Sequence, residues 1–423
     1  MEEQGEQINE ESYGHLIDRS CQARNLEMCL RLCAEAESRG LVPTLPAVEA
    51  TIRLAAELGY ARLAIELAED FETKSVRRIS PATWIACLES SAEALYKEGV
   101  AECWHKVVTE FHITPHEGVC LAVLHTAARH GIPALANDVL KQLTTLQVPL
   151  QEYHLAPVLE AFAAEGELKA AFGVLSMMRS IGATPTLQTT TTVQNLVAKD
   201  ADAVDRAWTA LEEIHAGGEP VDVVALNTVL ECCSRLQDLQ RAIGIYKAAK
   251  DLGVEPDVTT YNILFAACTH LKHRELGDKL LEEMRAADIQ PNHDTYHRFI
   301  LLCLTQHNYE DAFFYLEEMK KAGFKPPMDV YQSIIRKCVA HKDSRYNIAV
   351  EEMVECGYPL TQALQDYIDS GGKPTKTTAH QETAPEEEEE ETNHASIEEK
   401  ASQFMADLAE ADRAPQRRAT ASS

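Results

Sequence analysis

No stretch of the 423 residues approaches the roughly 18 consecutive apolar side chains that a bilayer-spanning helix needs, so that kind of membrane segment is excluded. A C-x-x-C pair with a matching partner is absent, as is an H-E-x-x-H pair, which removes the common zinc modules; His270 with His273 and His293 with His297 have helical spacing but no intervening glutamate to act with a metal. There is no phosphate-binding glycine loop, no G-x-S-x-G elbow and no H-x-E followed by P-C-x-x-C, the signatures of nucleotide hydrolysis, ester hydrolysis and base deamination. Strand-like alternation is also missing. No catalytic residue, metal ligand or cofactor is assigned from the sequence, and no enzymatic activity is expected.

Positive charge is scarce. The formal charge is −28, which argues against a general binder of nucleic acid or of membrane surfaces, because attraction to phosphate supplies most non-specific affinity. The deficit is uneven: residues 1–222 carry a net −16, residues 223–362 only −4. The opening "MEEQGEQINEESYGH" is acidic and polar, unlike a secretory signal or an Arg-rich transit peptide, so either the protein stays where it is made or the true N-terminus lies further upstream. Twelve cysteines without a secretory signal point to a reducing compartment with free thiols.

What the sequence does contain is a period. Cys233, Cys268, Cys303 and Cys338 are each 35 residues apart, a regularity that neither redox chemistry nor metal binding would impose. Segments starting at Val223, Val258, His293 and Met328 align without gaps, each with Leu226, Tyr261, Tyr296 or Tyr331 at the fourth place and a cysteine at the eleventh. Allowing one inserted residue in some loops, the frame extends back through units beginning at Leu187, Glu152, Glu117, Pro81, Leu45 and Glu10, about ten in all.

Within a unit, apolar residues recur twice at helical spacing, as in Tyr261, Leu264, Phe265 and Cys268, then Leu276, Leu280, Leu281 and Met284. Gly253 and Gly323 suit a left-handed residue that ends the second helix, and Pro256, Pro291 and Pro326 hold the chain extended before the next unit. Two short helices cannot bury their apolar faces alone. The expected fold is therefore all-α, a solenoid or superhelix of about ten two-helix repeats of 35 residues, with the eleventh-place cysteines packed inside. The expected division is an N-terminal tail (1–9), degenerate helical repeats (10–116), the clearer array (117–362), a capping helix (363–371), a disordered acidic linker (372–395) holding Glu386 to Glu391, and a tail with a short amphipathic helix (396–423) bearing Ile397, Ala401, Phe404, Met405 and Leu408.

The 35-residue length, the Y-N-x-L opening of "YNIL", the "LLEEM" of the second helix and the "GVEPD" exit resemble the pentatricopeptide repeat family. The resemblance implies binding of single-stranded RNA along an inner groove, one base per repeat. In that family the fifth and last residues of a unit contact the Watson–Crick edge and the second packs against the base. Carried onto this sequence, Asn227 with Asp257 resembles a uracil-preferring pair, Asn262 with Asn292 one for pyrimidines and cytosine in particular, and Thr191 with Asp222 a guanine-preferring pair for which Thr192 is a rival fifth residue. Val224 and Thr259 are the packing residues. His297 with Pro327, Gln332 with Gln362, Ala156 with Thr186 and Leu121 with Gln151 depart from the family's usual choices. The implied function is a sequence-selective RNA-binding, non-catalytic adaptor in RNA processing, stability or translation; the alternative is a protein-binding scaffold using the acidic N-terminal units or the C-terminal helix. The family's usual home, mitochondrion or plastid, finds no transit peptide in these N-terminal residues.

Overall fold

The computed structural model describes residues 9–372; residues 1–8, the acidic linker past residue 372 and the amphipathic stretch expected within 396–423 lie outside them. All regular structure among the described residues is helical. Contacts divide the chain into two units, meeting between Phe324 and Lys325.

The first unit holds nine helical hairpins: α1 (Glu10–Gln22) with α2 (Leu26–Ser38), α3 (Leu45–Glu57) with α4 (Ala61–Lys74), α5 (Pro81–Glu93) with α6 (Lys97–Trp104), α7 (Glu117–His130) with α8 (Pro133–Thr145), α9 (Glu152–Glu165) with α10 (Leu168–Ser180), α11 (Thr191–Val197) with α12 (Ala201–Ala216), α13 (Val223–Arg235) with α14 (Leu239–Ala248), α15 (Val258–His270) with α16 (Arg274–Ala286), and α17 (His293–Leu304) with α18 (Glu310–Lys321). A π-helical turn, His105–Glu110, continues α6. The first helix of each hairpin packs against the first helix of the next, from α1 through α17, so these helices form one continuous inner row.

Sequence explains the division of labour between the two helices. α15 is apolar nearly all round, and Tyr261, Ile263, Leu264, Phe265, Ala267 and Cys268 are buried because it has neighbours on both flanks and its own partner α16 behind. α16 buries only Gly277, Leu280, Leu281 and Met284 and exposes Glu275, Lys279, Glu282, Glu283 and Arg285. Rings interlock between and within repeats: Phe265 meets Phe299 of the next repeat edge-on at 5.3 Å, the Arg274 guanidinium lies 4.9 Å from the Phe299 centroid, and Phe299 meets Tyr315 of its own hairpin at 4.6 Å. Turns between hairpins follow the expected chemistry. Gly253 and Gly323 have φ of +69° and +83°, while Asp288 occupies the equivalent place with φ +57°, a conformation its short polar side chain tolerates.

The second unit contains α19 (Met328–Ala340), α20 (Tyr346–Glu355) and α21 (Gln362–Asp369), with both α20 and α21 packed on α19. Val330, Tyr331, Ile334, Ile335 and Cys338 form its core, and Tyr358 donates its hydroxyl to the Pro326 carbonyl at 3.1 Å while stacking under the Lys325 ammonium.

One unit departs from the frame. The unit expected from Leu187 begins its helix only at Thr191, four residues late, because Leu187 to Thr190 form turns instead. The run Thr189 to Thr192 is β-branched, and its hydroxyls take local carbonyls: Thr190 donates to the Leu187 oxygen at 3.1 Å and Thr191 to that of Gln188 at 2.7 Å. Such local bonds compete with the helix ladder.

The eleventh-place cysteines are fully buried free thiols, and burial pushes Cys233, Cys268 and Cys303 up to about 12. That burial keeps each in its unreactive thiol form at pH 8 and out of reach of reagent. Iodoacetamide at pH 8 is therefore expected to spare these three thiols in the folded protein and alkylate them only in denaturant, as read by peptide mass spectrometry; modification under native conditions would contradict the packing.

Candidate nucleic-acid interface

At the junctions that open α13, α15 and α17 the last residue of one repeat is the N-cap of the next repeat's first helix, whereas α11 is capped by Thr190, four residues past the repeat boundary. Asp257 has extended backbone (φ −108°, ψ −179°) and caps α15; Asn292 (φ −102°, ψ −179°) caps α17. Both close capping boxes with the third residue of the helix. The Thr260 amide donates to Asp257 Oδ1 at 2.8 Å and the Asp257 amide donates to Thr260 Oγ1 at 3.0 Å; Thr295 and Asn292 repeat the pattern at 2.9 and 3.2 Å.

The fifth residue of the preceding helix joins each box. Asn227 Nδ2 donates to Asp257 Oδ1 at 3.0 Å, and Asn227 Oδ1 accepts from the Thr260 hydroxyl at 2.7 Å. Asn262 Nδ2 donates to Asn292 Oδ1 at 3.2 Å, and Asn262 Oδ1 accepts from the Thr295 hydroxyl at 2.7 Å. Asn227 and Asn262 are only 2% and 4% exposed, so these bonds satisfy amides that would otherwise be costly to bury. Asp257 and Asn292 are more open, half-buried and exposed respectively. The second Asp257 carboxylate oxygen and the Asn292 side-chain nitrogen have no hydrogen-bond partner among the described residues. One junction therefore offers a spare acceptor and the next a spare donor.

Val224, Asn227, Asp257 and Thr259 line a single open cleft of about 590 Å³ together with Arg179, Pro185, Thr186, Leu187 and Gln188. The two second-place residues thus stand in the same cleft as the fifth and last residues between them.

Thr191 and Asp222 are not brought together. The Thr191 hydroxyl is engaged by Gln188, and Thr191 opens its helix instead of sitting a turn inside it. Asp222 caps α13 through the Val224 amide at 2.8 Å, and its carboxylate takes Arg179 in a two-point grip at 2.8 and 3.3 Å. That grip, with a lesser contribution from Asp257, raises the Arg179 pKa above its ordinary value, offset in part by desolvation. Arg179 comes from α10, which reaches α13 past the short first helix α11.

Thr260, Thr295 and Arg179 lie outside the second, fifth and last positions of their units. The two threonines were findable from D-x-x-T in "DVTT" and N-x-x-T in "NHDT", a capping signature at the unit boundary. Arg179 had no such signal, since its partner is 43 residues away.

Two family profiles match: one described as pentatricopeptide repeat-containing protein over residues 117–249, and one described as the pentacotripeptide-repeat region of PRORP over residues 219–359. The chain belongs to the pentatricopeptide repeat family. A chloroplastic pentatricopeptide repeat-containing protein of Arabidopsis thaliana is 28% identical to this pentatricopeptide repeat chain over 115 residues, which is 26% of the chain and 14% of the relative's length. Among solved structures, the pentatricopeptide repeat protein PPR10 in complex with an 18-nucleotide psaJ RNA element is 16% identical with a TM-score of 0.39, covering 86% of this chain and 58% of the other. The repeat domain of Arabidopsis thaliana PRORP1 in complex with tRNA is 17% identical with a TM-score of 0.25, covering 47% and 95%.

Asp222→Ala removes both the α13 cap and the Arg179 partner and is expected to lower unfolding free energy by about 1–2 kcal/mol, whereas Asp222→Asn, which still caps, should cost less. Urea denaturation of the two variants checks the order; equal stability would show that the cap carries no weight.

Proposed function

We propose that the protein binds single-stranded RNA as a non-catalytic adaptor, reading uracil at the Asn227–Asp257 junction and cytosine at the Asn262–Asn292 junction. The observation that carries this reading is the cleft that gathers Val224, Asn227, Asp257 and Thr259, the second, fifth and last residues of one unit with the second of the next. Its open face suits a flat base between two side chains, with polar groups on one edge.

The chemistry of the spare groups supports the assignment of bases. Uracil presents N3–H between two carbonyl oxygens, and the unpartnered oxygen of Asp257 can only accept. Cytosine presents an N3 lone pair, which suits the spare N–H of Asn292. Thr191 and Asp222 are left out of the proposed reading set, since the Asp222 carboxylate is already committed to Arg179. The strong negative charge of residues 1–222 limits phosphate attraction, so affinity should fall only gently with salt.

Asn292→Asp tests the reading without disturbing the fold, since aspartate caps a helix as well as asparagine. It exchanges the spare donor for an acceptor. Fluorescence-anisotropy titrations with short RNAs should show preference at that nucleotide move from cytosine to uracil by about tenfold, within the roughly 1–3 kcal/mol worth of a buried hydrogen-bonding group left unpaired. Equal weak binding of all sequences by the wild type would refute RNA reading.

A further inference from the structure

We infer that Thr260 and Thr295 are positioning residues for base reading, and that discrimination is confined to the two consecutive nucleotides facing them; this rests on the RNA-binding proposal above.

Each threonine closes a ring of hydrogen bonds across a repeat junction. The Asp257 amide donates to Thr260 Oγ1, the Thr260 hydroxyl donates to Asn227 Oδ1, and Asn227 Nδ2 donates back to Asp257 Oδ1. The backbone amide can only donate, so it fixes the direction of the ring. Asp257 Oδ1 already accepts from the Thr260 amide and from Asn227, which leaves Asn227 Oδ1, the shorter contact at 2.7 Å, as the place for the single hydroxyl proton. A flipped Asn227 amide would set two acceptors against each other. The reading amide is thus held in one orientation by a residue of the following repeat.

The second ring does more, because Asn292 could present either end of its amide. The Thr295 backbone amide at 2.9 Å and Asn262 Nδ2 at 3.2 Å hold its oxygen inward, which turns its nitrogen outward. The same ring therefore offers an acceptor from Asp257 and a donor from Asn292.

The three preceding junctions are closed differently. At Gln151 the third residue is His154, which accepts the Gln151 amide on Nδ1 at 3.1 Å and directs Nε2 to Glu117 at 3.2 Å; the fifth residue there is Leu121. At Thr186 the third residue is Thr189, which accepts the Thr186 amide at 3.0 Å but gives its proton to Glu152, and the fifth residue is Ala156. At Asp222 the third residue is Ala225, with no hydroxyl, and Arg179 holds the carboxylate. In the first two, a glutamate that opens the preceding helix has taken the hydrogen bond that Asn227 and Asn262 receive at the reading junctions.

The test is an equilibrium-binding panel: oligoadenylate strands carrying every dinucleotide at the centre and every base at the nucleotides flanking it, titrated with wild type, Thr295→Val, Thr295→Ser and Thr260→Val, with thermal melts alongside. Wild type is expected to discriminate at two adjacent nucleotides only. Thr295→Val should lose about fivefold of its cytosine-over-uracil preference at one of them while keeping the other, as one hydrogen bond is worth about that factor. Thr260→Val should do the reverse, and Thr295→Ser should restore wild-type discrimination. An unchanged preference ratio in Thr295→Val would overturn the positioning role, and discrimination at a third nucleotide would overturn the two-base limit; the latter is read on wild type and needs no variant to fold. Wild-type binding with no base preference would instead bring down the RNA-reading proposal and this inference with it.

Discussion

The structure depends on one constraint: a hairpin of two short helices leaves the flanks of its first helix uncovered, and only another first helix can cover them. α13 and α15 each bury residues on nearly every side because each has a like neighbour on both flanks. Once that packing is satisfied at a fixed period, residues 30 apart, such as Asn227 and Asp257, come within hydrogen-bond distance. The site is a by-product of the core.

Capping groups are what this arrangement turns to use. An N-cap must place an oxygen against free amides, and a carboxylate or amide has more hydrogen-bonding capacity than that task consumes. Asp257 and Asn292 spend one oxygen on the helix and on the preceding asparagine and keep one group over. At Asp222 an arginine takes up that remaining capacity, Arg179 binding both carboxylate oxygens. The hydrogen-bonding groups left over at the caps thus differ from junction to junction, and at Asp222 they differ together with the backbone, since the shortened α11 is what lets α10 reach α13.

Much of this was legible in residue spacing. The interval between Cys233, Cys268 and Cys303 located the buried face of the first helices, and the first helix opens at the frame's first residue in the units starting at Glu10, Leu45, Pro81, Glu117, Glu152, Val223, Val258 and His293. The exception, the unit at Leu187, carries a run of four threonines, of which Thr190 and Thr191 give their hydroxyls to nearby carbonyls and Thr189 to Glu152, bonds that compete with extending a helix. A count of apolar positions does not register that competition.

The sequence by itself determined the helical hairpin, its period and which side chains open and close each unit, because helix periodicity, glycine and proline stops and cap residues act within a few residues of one another. Only the tertiary structure decided which last residues keep a free hydrogen-bonding group. That depends on partners 30 to 43 residues away, Thr260 on Asn227, Asn227 on Asp257 and Arg179 on Asp222, whose approach is set by how neighbouring hairpins pack and by the shortened helix between α10 and α13.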